Sequence, residues 1–192
     1  YLANGAEPWA VPDADSFEPI EVKHAEPMDG DGSDFMPYER DDNLVRPWAK
    51  PGTNGLMHRI GGLEKAHLTG NVSYDPDNHQ YMTELRAKKV EKIADFIPPI
   101  EPHGDASGDL LVLGWGGTYG SIHTAVNRAR EKGQKVSSAH LRHLNPMPRN
   151  LGQLLSKFDK VLIPELNTGQ LRLLIRGRFL CDARGLNKVQ GK

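Results

Sequence analysis

Eleven of the fourteen prolines in this 192-residue chain lie before residue 108, and that distribution decides where regular structure can form. Proline fixes φ and lacks a backbone donor, so it is kept out of helix interiors and central strands. Residues 1–60 combine Pro with Gly and Asp in YLANGAEPWAVPD, AEPMDGDGSDFMPYERDD and RPWAKPGTNG, and no stretch there sustains a helical or strand period. Trp9, Phe17, Phe35, Tyr38 and Trp48 are nevertheless interspersed, more aromatic side chains than a free linker carries. The segment reads as a long extended arm that anchors by its aromatics, partly on other surfaces.

Residues 75–97 read as one helix. DPDN supplies acids and a capping side chain, Met82, Leu85, Lys89, Ile93 and Phe96 recur near helical spacing, and Pro98–Pro99 stop it. EPHGDASGD reads as a polar linker. From Asp109 the pattern becomes strand–helix alternation. LLVLGW (110–115), KVSSAHL (135–141) and KVLIPEL (160–166) have strand length, and KVQ (188–190) is a candidate last strand. Between them lie three helical faces. Tyr119, Ile122, Ala125, Val126 and Ala129 form the first. Leu151, Leu154, Leu155 and Phe158 form the second, with Pro148 at its first position. Leu171, Leu174 and Ile175 form the third, behind a Thr168 cap. Strands separated by helices predict an α/β fold with a mostly parallel sheet, preceded by the arm and one helix, with the division at residues 1–107 and 108–192.

Charge divides the chain in the same place. Residues 1–107 carry 10 Lys+Arg and 20 Asp+Glu, and residues 108–192 carry 14 and 5. Either the acidic segment lies on the basic domain, or the halves meet different partners. Cys181 stands alone, so it closes no internal disulfide and cannot by itself ligate a cluster or a structural zinc. No apolar run reaches membrane-spanning length, and a cytoplasmic location is the default expectation.

Four features could carry chemistry. GWGGTYGS follows a strand and opens a helix. Its glycines Gly114, Gly116 and Gly120 do not have the dinucleotide spacing, and no Lys-Ser/Thr follows, which leaves a tight turn, a subunit contact or an anion cradle. His140 and His143 sit three apart beside Arg142 in HLRHLNP, but no Cys or acid nearby supplies a third metal ligand. Arg172, Arg176 and Arg178, with Arg184, make the last helix basic. Arg172 and Arg176 are one turn apart on one face, placed to grip a carboxylate or phosphate together or else to form a solvated or intersubunit face. Glu165, close to Thr168, reads as a structural or capping acid, because no partnered base is visible. No nucleophile arrangement and no nucleic-acid motif accompanies these residues.

Several long collinear segments carry a resemblance. RPWAKPGTNGLMHRIGGLEK (46–65), NVSYDP (71–76), DLLVLGWGGTYGSI (109–122), AHLRHLNPMP (139–148), VLIPELNTGQL (161–171) and GLNKVQG (185–191) resemble the α subunits of 2-oxoacid:ferredoxin oxidoreductases. The likeness of the linker and of HLRHLNP points to the 2-oxoglutarate type. YLANGAEPW (1–9) resembles the exit from the thiamine-pyrimidine domain of those subunits, and a chain opening at Tyr1 reads as part of a longer one. The resemblance implies a transketolase C-terminal-like domain for residues 108–192. It implies a complex in which a β subunit holds thiamine diphosphate, Mg²⁺ and a 4Fe-4S cluster. That complex converts a 2-oxoacid and coenzyme A to an acyl-CoA and CO₂, with ferredoxin as electron acceptor.

The family's substrate and pyrimidine-contacting motifs would lie upstream of Tyr1. No catalytic, cofactor-binding or metal residue is therefore carried onto this sequence, and neither nucleic acid nor membrane is an expected partner. The expected role is structural, at a subunit interface. The rival reading is a free-standing α/β module that binds an acyl-CoA or nucleotide through its basic half.

Overall fold

The computed structural model describes residues 11–190, and the reading placed on Trp9 and the first residues lies outside them. The chain divides into two compact units, Pro12–Ile93 and the part from Ala94 onward.

In the first unit, residues 12–60 contain a single regular element, a three-residue 3-10 turn at Ala14–Ser16, as the prolines require. The arm is held instead by backbone pairing between distant segments. Ala25 N donates to Trp48 O at 2.8 Å and Met28 N to Asn54 O at 3.1 Å. Gly55 makes that approach possible. Its φ is +70°, and a Cβ there would meet Met28 O at 2.1 Å. Among the arm aromatics, Phe35 is buried and stacks edge-on to His58, whereas Phe17 and Trp48 are 65% and 60% exposed in this chain. Helix α1 (Pro76–Lys92) starts at Asp75, whose carboxylate accepts from Asp77 N, with Pro76 at its first position. Only Met82 and Leu85 of its predicted stripe are buried. Lys89 and Ile93 are exposed, because the unit has packing partners for little more than one turn of the helix, and Phe96, exposed as well, lies beyond the helix in a 3-10 turn at Ile93–Phe96.

The second unit is the α/β domain. Strands β1 (Gly108–Trp115), β2 (Val136–Leu141), β3 (Phe158–Glu165) and β4 (Arg184–Asn187) form one sheet in the order β2-β1-β3-β4, and every pairing is parallel. The helices are α2 (Tyr119–Glu131), α3 (Leu151–Leu155) and α4 (Gln170–Phe179). Period-two alternation in β1 assigns the layers. Leu111 and Leu113 point into the larger core with Leu151, Ile163, Leu171 and Ile175, while Val112 joins Ile122, Val126 and Val136 on the opposite face. So α2 covers one face, and α3 with α4 covers the other. The α/β architecture with a parallel sheet expected from the sequence is the one found.

Several boundaries differ. Phe158 continues no helix. It opens β3 opposite Gly108, so α3 is five residues long and the apolar spacing of Leu151 to Phe158 spans a helix and a strand. The last strand is Arg184–Asn187, not 188–190. Thr168 does not cap α4. That helix starts after Gly169, whose φ is +101°, and its first donors are taken by other side chains. EPHGDASGD is more than a linker. His103 and Ser138 exchange backbone hydrogen bonds of 2.7 and 3.0 Å, which covers the free edge of β2.

Candidate functional site

In a doubly wound sheet, function concentrates beyond the carboxyl ends of the strands, where successive connections leave in opposite directions. Here β1 connects through α2 to β2 on one side, and the chain then crosses to β3 on the other. The switch point therefore lies between β1, ending at Trp115, and β3, ending at Glu165.

That crevice is closed by the chain's own side chains. Glu165 is 2% exposed, and its carboxylate accepts four hydrogen bonds. Leu171 N, Trp115 Nε1 and Asn167 Nδ2 donate to Oε1 at 2.9, 3.3 and 3.2 Å, and Arg172 N donates to Oε2 at 3.1 Å. Asn167 Oδ1 accepts from Gly169 N at 2.7 Å and Gln170 N at 3.1 Å. The leading donors of α4, which in other proteins hold a phosphate, are thus satisfied internally, and the helix dipole faces a built-in carboxylate. Glu165 is the capping acid expected from the sequence. Asn167, missed in the sequence, caps beside it; the Asn-x-Gly step before a helix was its signal.

The GWGGTYGS turn is equally tight. A Cβ at Gly114 would meet Ile122 Cδ1 at 2.4 Å, so this glycine admits α2 onto the sheet. Gly116 turns with φ +58°, and Thr118 Oγ1 donates to Trp115 O at 2.7 Å and accepts from Trp115 N at 3.3 Å. Of the three readings of this segment, the geometry supports the strand–helix turn.

A cleft of about 690 Å³ opens beside it, over the ends of β1 and β2, and here His140, Arg142 and His143 are brought together with side chains that are remote in sequence. Tyr119 stacks on His123 at 5.5 Å and meets His140 edge-on at 5.2 Å, and His103 lies 4.3 Å from His123. His103 Nε2 lies 2.7 Å from Asn127 Oδ1, which fixes the ring, while His123 Nδ1 is buried without a partner. Flat rings and one guanidinium make this a surface for a planar or anionic group. Among the described residues no group of three His, Cys, Asp or Glu is placed to hold a metal ion. A four-iron cluster takes four thiolates and the sequence has one cysteine, so these residues do not fit such a cluster by themselves. The Cys181 thiol is pushed up by burial and by Asp182, which keeps it protonated and a poor nucleophile.

The basic helix does not form the expected grip. Arg176 Nη1 donates to Asp182 Oδ1 and, at 3.1 Å, to Ala183 O, and the guanidinium holds the Asp182 carboxyl below its ordinary range. Arg178 lies over the Phe179 ring, 5.9 Å from its centroid. Arg172 packs its stem against Gly185, with its Nε buried and without a partner. Arg176 is thus committed to a carboxylate six residues away in its own domain, and Arg172 points elsewhere. The pattern at i, i+4 showed proximity but not these neighbours.

The sequence profile of the pyruvate:ferredoxin oxidoreductase core domain II matches residues 108–188, the whole sheet. The 2-oxoglutarate oxidoreductase subunit KorA of Mycobacterium tuberculosis is 48% identical over 99% of this chain. The chain belongs to the 2-oxoacid:ferredoxin oxidoreductase α-subunit family. The chain spans 28% of that relative's length, and 28% of the length of the α subunit of 2-oxoacid:ferredoxin oxidoreductase 2 of Aeropyrum pernix, to which it is 29% identical over 92% of its residues. A solved 2-oxoglutarate:ferredoxin oxidoreductase from Magnetococcus marinus, with 2-oxoglutarate, coenzyme A and succinyl-CoA bound, superposes with a TM-score of 0.79. That match has 29% sequence identity and covers 92% of this chain and 31% of the other. Among the described residues no helix is long and apolar enough to cross a membrane.

Proposed function

We propose that this chain is the C-terminal part of the α subunit of a cytoplasmic 2-oxoglutarate:ferredoxin oxidoreductase, and that its α/β domain braces the complex without touching the reacting groups. Residues 1–107 supply the exit from the thiamine-pyrimidine domain, the arm and the linker helix, and residues 108–192 supply the bracing domain. The whole enzyme takes 2-oxoglutarate, coenzyme A and oxidised ferredoxin to succinyl-CoA, CO₂ and reduced ferredoxin. The observation that carries the bracing role is the closed switch point. The place where such a sheet binds its ligand is filled by Trp115, Asn167 and a buried Glu165 that caps α4. Thiamine diphosphate, when bound to the complex, supplies the ylid nucleophile and the electron sink. In this reading it is held with Mg²⁺ and a 4Fe-4S cluster by the β subunit and by upstream residues of the longer chain.

The residues described here contribute rigidity. An all-parallel sheet covered on both faces, with its free β2 edge paired by His103, cannot flex without exposing backbone donors. The test is copurification from the full-length gene. A tagged α subunit should bring down one larger-scale assembly with a brown iron–sulfur chromophore, and an α subunit ending before residue 108 should not. A colourless, monomeric full-length α subunit with undiminished 2-oxoglutarate binding would overturn the reading in favour of a free-standing module.

A further inference from the structure

The first unit contains a cationic cleft that the proposed function does not use. Its residues, 12–93, carry ten Lys+Arg against sixteen Asp+Glu, yet five of those ten bases converge on one cleft of about 470 Å³. They are Arg40, Arg46, Lys65, Arg86 and Lys89, and the acid beside them is Glu64. Glu64 is already shared, between His79 Nδ1 at 2.6 Å and Arg86 Nη1 at 3.3 Å. No ion pair among the described residues involves Arg40, Arg46, Lys65 or Lys89.

The cluster is built by the fold. Asp41 closes a tight loop, its Oδ1 accepting from Asn43 N at 2.9 Å and Val45 N at 2.8 Å, and Leu44 within it takes φ +61°. A β-branch-free but still side-chain-bearing residue in that region is strained, so the loop is held by its surroundings. It brings Arg40 and Arg46 from its two ends onto one ring. The Arg46 guanidinium lies 4.3 Å and that of Arg40 5.6 Å from the centroid of Tyr38. Tyr38 is fixed by Tyr38 N donating to Leu68 O at 3.0 Å. Lys65 is 4% exposed, and Nζ donates to Gly61 O at 2.9 Å and Leu63 O at 2.6 Å, which leaves one ammonium donor unused. Burial and the charge of Arg46 both disfavour the charged form of Arg40. Met82 and Leu85 form an apolar floor.

Like charges gathered over an apolar floor repel one another unless an anion joins them. A carboxylate would satisfy one guanidinium. Several cations with fork-shaped donors match a doubly charged group with three terminal oxygens. We propose that this cleft binds the phosphate group of a phosphate-bearing ligand, with Arg40, Arg46 and Lys89 as its donors and Met82 and Leu85 beneath the organic part. The site lies outside the α/β domain and is independent of the bracing role.

The experiment titrates inorganic phosphate and pyrophosphate into the full-length α subunit in its assembled state, by calorimetry at low and high salt. Pyrophosphate should bind in a salt-dependent way, and Arg40→Gln with Arg46→Gln should weaken it at least about tenfold, as expected for loss of two charge-assisted contacts. Arg59→Gln, outside the cleft, should change nothing. Should the double variant fail to fold, Lys89→Gln on an exposed helix face carries the same test, with at least about threefold weakening expected. Equal binding by wild type and variants, or none by wild type, would overturn the proposal. So would intact phosphate binding to no variant-sensitive site while the double variant dissociates the complex, which would assign the cleft to a carboxylate of another chain.

Discussion

Removing the Glu165 carboxylate isolates the feature on which the bracing role depends. In Glu165→Ala, Leu171 N and Arg172 N lose their acceptor, as do Trp115 Nε1 and Asn167 Nδ2. A buried donor left unmade costs about 1–3 kcal/mol. Leu171 N sits in a buried contact and must bear most of that, whereas Arg172 N and Asn167 are part-buried and regain water. The sum is about 3 kcal/mol, which corresponds to about a 100-fold change in an opening equilibrium. Because a multidomain chain does not unfold in two states, the suitable assay is local. Hydrogen exchange of the peptide spanning residues 168–176 in the full-length protein reports the opening of α4 directly. Exchange there should quicken by about two orders of magnitude in Glu165→Ala, and by less in Glu165→Gln, which keeps one acceptor oxygen. Protection within about threefold of wild type in the Ala variant would refute the claim that Glu165 fixes this end of the sheet.

Gly114→Ala places a Cβ 2.4 Å from Ile122 Cδ1, so α2 must shift or Ile122 must change rotamer; a cost of about 1–3 kcal/mol is expected, read as a lower melting temperature. Asn150 clamps Ile100 with two hydrogen bonds, accepting from its N at 2.9 Å and donating to its O at 2.8 Å, so Asn150→Ala should make residues 97–103 susceptible to proteolysis while the sheet stays protected. Hydrogen bonds from Arg176 and Arg130 hold Asp182 and Asp105 below the ordinary Asp range. A lowered folded-state value means stability that is complete above about pH 4 and lost as pH falls through the folded values. Both carboxylates are exposed, so the slope is small, and Arg176→Gln should flatten it in thermal melts taken below about pH 4.

The α/β domain was legible because burial on two faces imposes a pattern. Leu111 and Leu113 alternate with Val112, and Ile122 and Val126 recur one turn apart, so strand and helix announce themselves. Where the pattern misled, a competing contact had won. Phe158 has helical spacing from Leu151, but its pairing partner is Gly108. Lys89 and Phe96 have helical spacing from Met82, but both side chains are exposed. Glu165 could be recognised as structural because no base accompanied it; three of its four donors, from Asn167, Leu171 and Arg172, lie within seven residues of it, and only Trp115 is brought from afar by folding. The same holds for the cationic cleft, whose residues are drawn from three stretches between 38 and 89 within an acidic segment. Net charge hid it, and only folding collects it. The family resemblance reached further than periodicity, and the profile match over residues 108–188 and the KorA relative bear it out.

The proposed enzyme acts on 2-oxoglutarate. The most direct measurement is ferredoxin reduction by the complex purified from the full-length α gene with its copurifying partner, supplied with coenzyme A and either 2-oxoglutarate or pyruvate. The value of kcat/KM for 2-oxoglutarate should exceed that for pyruvate by at least about tenfold, a discrimination of about 1.4 kcal/mol in transition-state binding. A complex that reduces ferredoxin with pyruvate as fast or faster, or that reduces it with neither acid, would overturn the assignment to 2-oxoglutarate.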